Sequence, residues 1–168
     1  MYIRKATIEE LDKIMEIYAF ARTFMAEHGN PTQWGQNKPS REQIEHDILM
    51  EKCYVCVADE KIAGVFYFAK EEDATYTNIY DGNWLNQEAY AVVHRVASAQ
   101  KIRGVGSFCM NWASKQCENL KIDTHKDNYV MQNMLKKCGF VHCGTIYLED
   151  GEPRLAFQKL CKKSSICM

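Results

Sequence analysis

Apolar positions recur at two spacings along this chain, and the change of spacing marks its elements. Leu11, Ile14, Met15, Tyr18, Ala21 and Met25 fall three and four apart, as one face of a helix requires. Immediately before them Thr7-Ile8-Glu9-Glu10 has the spacing of a capping box, so a short strand opening at Ile3 passes directly into a helix that runs to about His28. Ser40-Arg41-Glu42-Gln43 repeats the signal and predicts a second helix through about Met50, with Ile44, Ile48 and Leu49 inward. The period then becomes that of strands. Residues 53–58 and 62–70 are rich in β-branched and aromatic side chains and predict an antiparallel pair about Asp59-Glu60-Lys61. A strand over 90–97 leads through a glycine turn into a helix with the stripe Val105, Phe108, Cys109, Trp112 and Ala113. A strand at 120–124 and a helix at 128–138 follow, with Gly139 placed to end that helix. Residues 140–148 and 155–160 predict a closing hairpin about Glu149-Asp150-Gly151-Glu152-Pro153.

Two connections are too apolar to be idle linkers. Residues 29–39 hold Trp34 among glycines and prolines, and residues 71–88 hold Tyr76, Tyr80 and Trp84, which makes the second loop a candidate substrate wall. With 168 residues and 46% hydrophobic content, the expectation is one core-bearing domain over 1–160 and a frayed tail over 161–168. Lys plus Arg number 21 against 22 Asp plus Glu, a balance that offers no field for nucleic acid. No apolar run approaches the roughly 18 residues of a membrane span and residues 1–10 carry no signal core, so a soluble cytoplasmic protein is expected. The eight cysteines are scattered, and Cys53 and Cys56, three apart in a strand, point to opposite faces and cannot chelate one ion. Core thiols and no metal are therefore expected.

The stretch with most chemistry is Lys101-Ile102-Arg103-Gly104-Val105-Gly106, between a predicted strand and a predicted helix. Glycines let backbone N–H groups at a helix start approach an anion, which makes a phosphate-bearing ligand plausible; read alone, the turn is equally one without a ligand. Ser107 stands where a P-loop needs Lys and Cys109 where a dinucleotide fingerprint needs Gly, which argues against both.

Over about residues 3–159 the chain resembles the GCN5-related N-acetyltransferase (GNAT) superfamily. The turn above resembles the family's Arg/Gln-x-x-Gly-x-Gly/Ala motif, with Lys101 in its first place, and Asn128 precedes Gly139-Phe140 at the family's spacing. The element order is also similar. The resemblance implies an α/β (α+β) fold: a mixed, mainly antiparallel sheet of six to seven strands, about four helices, and splayed central strands. It implies acetyl-CoA as co-substrate, its pyrophosphate on Arg103, Gly104, Val105, Gly106 and Ser107 with Lys101 nearby. Its pantetheine would lie along Val96, Ala97 and Ser98, and Asn128 completes that set.

The implied activity is transfer of acetyl to a small-molecule or peptide amine by direct attack in a ternary complex; a homodimer is compatible with it. Where many members place a Tyr to protonate the leaving thiolate, this chain has Leu135. The general base then matters more, and His94 is the first candidate, ahead of Glu88 acting through water and of His125, whose plainer role is to cap the next helix. Asp81 reads as a turn carboxylate, and His28, His46 and His142 as surface or packing residues. Trp34, Tyr76, Tyr80, Trp84 and Tyr147 are the expected aromatic pocket for the amine. Two rival readings remain: a non-catalytic acyl-CoA-binding or sensor domain, motivated by Leu135, and a peptide-interaction module built on the Trp34 and Trp84 loops.

Overall fold

The computed structural model describes residues 1–99 and 101–162. The chain runs β1 (Tyr2–Lys5), a 3-10 turn (Ile8–Glu10), α1 (Leu11–Glu27), α2 (Arg41–Leu49), β2 (Cys53–Ala58), β3 (Lys61–Ala69), β4 (Ala91–Ser98), α3 (Val105–Gln116), β5 (Asn119–Thr124), α4 (Tyr129–Lys137), β6 (Val141–Tyr147) and β7 (Pro153–Leu160). From residue 163 onward the expected tail, with Cys167, lies outside the described residues, as does Gln100 within the expected turn.

The local signals act as their chemistry requires. Glu10 accepts the Thr7 N–H at 2.9 Å, closing the capping box that launches α1. Ser40 accepts from Gln43 N at 3.1 Å at the start of α2, and Asn128 accepts from Met131 N at 3.1 Å at the start of α4. Leu49 departs from its expected inward place: Ile44 and Ile48 define the buried stripe one turn apart, Asp47 falls on it, and Leu49 is turned out to solvent.

All seven strands form one sheet, in the order β1-β2-β3-β4-β5-β7-β6. Period-two alternation gives the sheet two apolar faces. Cys53, Val55, Val57 and Val65 pack with Ile14, Tyr18, Ile44 and Ile48 of α1 and α2. On the other face Cys56, Phe66, Phe68, Val93 and Ile122 pack with Cys109, Met110 and Ala113 of α3 and Leu135 of α4. Cys53 and Cys56 thus lie on opposite faces.

Two features of the sheet make room for a site. Every neighbouring pair is antiparallel except β4 and β5, which are parallel and pair only at Ala91↔Leu120 and Val92↔Lys121 before parting. On its other side β4 is bulged: Tyr67 faces His94 but Val65 faces Ala97, so β4 spends an extra residue, and Arg95 takes a left-handed φ of 52°. That costly conformation is fastened from three sides. Arg95 pairs with Asp47 at 2.8 Å, its guanidinium lies 4.6 Å from the Tyr67 ring centre, and its carbonyl accepts the Tyr18 hydroxyl at 2.7 Å.

Candidate active site

Where β4 and β5 part, a cleft of about 1130 Å³ opens across the molecule. One end is bounded by the start of α3. The other is closed by residues 32–39, between α1 and α2, and by the β6–β7 connection.

The α3 end is made of backbone. Val96, Ala97 and Ser98 line the cleft, and beyond Val92 β4 has no ladder partner on the β5 side among the described residues. Gly104 caps α3 at φ 80°, a left-handed value natural to glycine, and a Cβ built there would meet nothing within 4 Å. Phe108 N donates to Gly104 O at 2.9 Å as the first intrahelical bond. The N–H groups of Val105, Gly106 and Ser107 therefore have no acceptor within the helix, and all three residues line the cleft. Gly64 in β3 explains how the helix comes so near the sheet: a Cβ there would stand 2.5 Å from Val105 Cγ1. Open approach, unbonded N–H groups and the positive end of a twelve-residue helix dipole suit a pyrophosphate, and the free β4 edge suits an extended amide-bearing arm. Arg103 lines the cleft; Lys101 is exposed and does not. Asn128 lines it too, although its amide is engaged, donating to Gln33 Oε1 at 2.9 Å.

The opposite end is made of side chains. His94 reaches the cleft from β4 just before the bulge, and its Nε2 lies 3.0 Å from Asp73 Oδ2. Asp73 also accepts from the Thr75 N–H at 2.9 Å and the Thr75 hydroxyl at 2.6 Å. Burial pushes its pKa up, but the bonds from His94 and Thr75 outweigh that and hold it at about 2. An ionised Asp73 fixes the proton of His94 on Nε2 and leaves Nδ1 with its lone pair. The imidazole is steadied between Tyr67 and Tyr76, with ring centres at 5.7 and 5.9 Å.

His125 also lines the cleft, from the end of β5, but its nitrogens are occupied. Nδ1 accepts from Asp127 N at 3.1 Å, which leaves Nε2 as the proton-bearing atom, 3.4 Å from Thr32 Oγ1. Burial, and then the charge of Arg154, lower its pKa and keep it neutral. Glu88 is not at the site. It is exposed beyond the opposite end of β4, where the two strands are paired and no cleft exists.

The expected aromatic pocket is not assembled. Of its five members only Trp34 lines the cleft, edge-on to Tyr18 with centres 5.6 Å apart. Tyr76 and Trp84 are core: the Tyr76 hydroxyl donates to Asp123 at 2.6 Å, and Trp84 Nε1 donates to Tyr76 O at 2.9 Å. Tyr80 and Tyr147 form an exposed edge-to-face pair at 5.3 Å, outside the cleft, because the bridge from Tyr80 to Thr145 ties that loop to β6. Leu135 is fully buried in the core, and α4 presents Val130, Met131 and Met134 to the cleft in its place.

Asp73, Arg154 and Gly64 were not singled out from the sequence. The Asp-x-Thr spacing of a local turn marks Asp73, and Arg154 is a cation directly before the apolar Leu155-Ala156-Phe157. Neither signal says what the residue faces.

Residues 11–140 match the Acetyltransferase (GNAT) family. An acetyltransferase of the GNAT family from Streptococcus agalactiae is 30% identical, with 96% of each chain covered and a TM-score of 0.87. One from Listeria monocytogenes is 19% identical, with 95% of this chain and 94% of the other covered and a TM-score of 0.69. A protein of Salmonella typhimurium described as a candidate acetyltransferase and solved with acetyl-CoA is 12% identical; 98% of this chain and 95% of the other are covered, with a TM-score of 0.64. The latter two show the fold alone. No curated protein matches the chain. The chain belongs to the GNAT acetyltransferase family.

Proposed function

We propose that this member of the GNAT family transfers acetyl from acetyl-CoA to a primary amine within a ternary complex, with His94 as the general base. The observation that carries the reading is the His94–Asp73 pair on the cleft wall, at the point where β4 leaves β5.

Acetyl-CoA supplies the activated acyl group. The first turn of α3 holds its diphosphate through the N–H groups of Val105, Gly106 and Ser107, and the unpaired edge of Val96–Ser98 aligns its arm toward the centre of the cleft. On the other side Nδ1 of His94 takes the proton from the amine as its nitrogen bonds to the acyl carbon and the carbon–sulfur bond breaks. Asp73 keeps His94 in the tautomer that can do so and stabilises the imidazolium that results. Leu135 can neither donate a proton nor stabilise a thiolate, but a thiol of pKa near 8.5 is a good leaving group without an acid. Positioning and deprotonation therefore carry the rate.

The test is a panel of primary amines followed by free-thiol release, beside thermal unfolding with and without CoA. CoA should raise the melting temperature, and thiol should appear only with an accepted amine. Stabilisation without turnover for every amine would make this an acyl-CoA-binding domain, and no stabilisation would return the molecule to an interaction module.

A further inference from the structure

Resting on the transferase reading, we infer that the acceptor is a primary amine that also carries a carboxylate, and that Arg154 receives the carboxylate. Arg154 opens β7 and lines the cleft although it is only 7% exposed. A guanidinium taken out of water at that cost is ordinarily matched by an anion, since removing it from water is repaid only by close opposite charge. Here its hydrogen bonds go to neutral carbonyls: Nη1 donates to Pro153 O at 2.9 Å and Nη2 to Gln33 O at 3.4 Å. Among the described residues no carboxylate lies within 4.0 Å of it; Asp47 pairs with Arg95, and Asp73 and Asp127 lie against the imidazoles of His94 and His125.

The acids that share the cleft do not replace a ligand. Asp73 is taken by His94 and Thr75, and Asp123 accepts the Tyr76 hydroxyl at 2.6 Å. Asp150 and Glu152 are exposed at the mouth, where water screens them. The neighbouring His125, its pKa lowered by burial and then by Arg154 itself, brings no negative charge. A guanidinium has five donors in a planar fork that matches two carboxylate oxygens, so the donors not spent on the carbonyls suit such a group.

Position separates this site from the one for CoA phosphate. Arg154 touches the loop between α1 and α2 through Gln33 and follows the β6–β7 connection, segments of the cleft lining other than the α3 turn. A carboxylate seated there and an amine presented to His94, both on the lining of one cleft with Trp34, describe an acceptor of the amino-acid type that carries both groups.

The experiment uses pairs of α-amino acids and the amines that lack only their carboxylate, each offered in two assays. One is thermal stabilisation of the CoA-saturated protein; the other is thiol release with acetyl-CoA. The wild-type protein should be stabilised by the amino acid and not by its partner amine, with KM lower for the amino acid by at least tenfold. Arg154→Gln should erase that preference and Arg154→Lys should keep part of it, while stabilisation by CoA alone stays at the wild-type value and reports an intact fold. Equal stabilisation by both members of every pair in the wild-type protein would overturn the inference, as would a preference that survives in Arg154→Gln. Selective stabilisation by amino acids without thiol release would leave the carboxylate site standing and overturn the transferase reading.

Discussion

The two ends of the cleft are built from different material. The α3 end is backbone: N–H groups of one turn, the free edge of one strand, and a left-handed glycine. The other end is side chain: His94 from β4, Asp73 from the loop after β3, Arg154 from β7 and Trp34 from the loop after α1. Backbone donors are the same in every residue, so the first end tolerates side-chain exchange and is sensitive to conformation. Side-chain groups are not interchangeable, so the second end is sensitive to identity. Under the proposed function, that difference lets one turn serve a common co-substrate while the acceptor is chosen elsewhere in the fold.

The strongest challenge to the comparison is His94→Ala, which should lower kcat about a hundredfold with little change in affinity for acetyl-CoA. The acidic limb of the pH–rate profile should vanish with it. A wild-type kcat and an unchanged limb would move the base elsewhere, with His125 next in line.

At the other end Gly104→Val should weaken CoA binding about tenfold in a protein that still folds. A β-branched residue resists φ 80°, and its side chain enters the space a phosphate needs. Calorimetric titration reads the affinity, and an unchanged value would remove the turn from the site.

A smaller effect concerns stability. The Asp73 pKa is depressed when folded, so its contribution is complete above the unfolded value near 3.9 and is lost as pH falls toward its folded value of about 2. Asp73→Asn should therefore flatten the acid side of the stability curve by about 2 kcal/mol between those limits, as urea unfolding at stepped pH would show. An identical pH dependence in the variant would mean that the bonds from His94 and Thr75 to the ionised carboxylate contribute nothing to folding. The smallest expected effect is that of Lys101→Ala. Because Lys101 is exposed outside the cleft, KM for acetyl-CoA should change less than threefold at physiological ionic strength.

What the sequence determined is whatever depends on neighbours along the chain. The capping boxes, the change of period and the glycine turn act over three to seven residues, where backbone geometry alone decides which groups meet. They placed the strands and helices to within a residue or two, and the contiguous α3 turn with them. Only the tertiary structure decided what each side chain faces. Leu49 turned outward because Ile44 and Ile48 set the rotation of α2, and Asp47 turned inward to hold Arg95. The insertion of β7 between β5 and β6 brought Arg154 to the cleft, and the parting of β4 from β5 made His94 a wall residue and left Glu88 outside. Tyr76, Tyr80, Trp84 and Tyr147 carry the same apolar mark in the sequence whether they line a pocket, fill a core or lie on the surface. Burial is a property of the elements packed above and below a residue, and that information is spread over the whole chain.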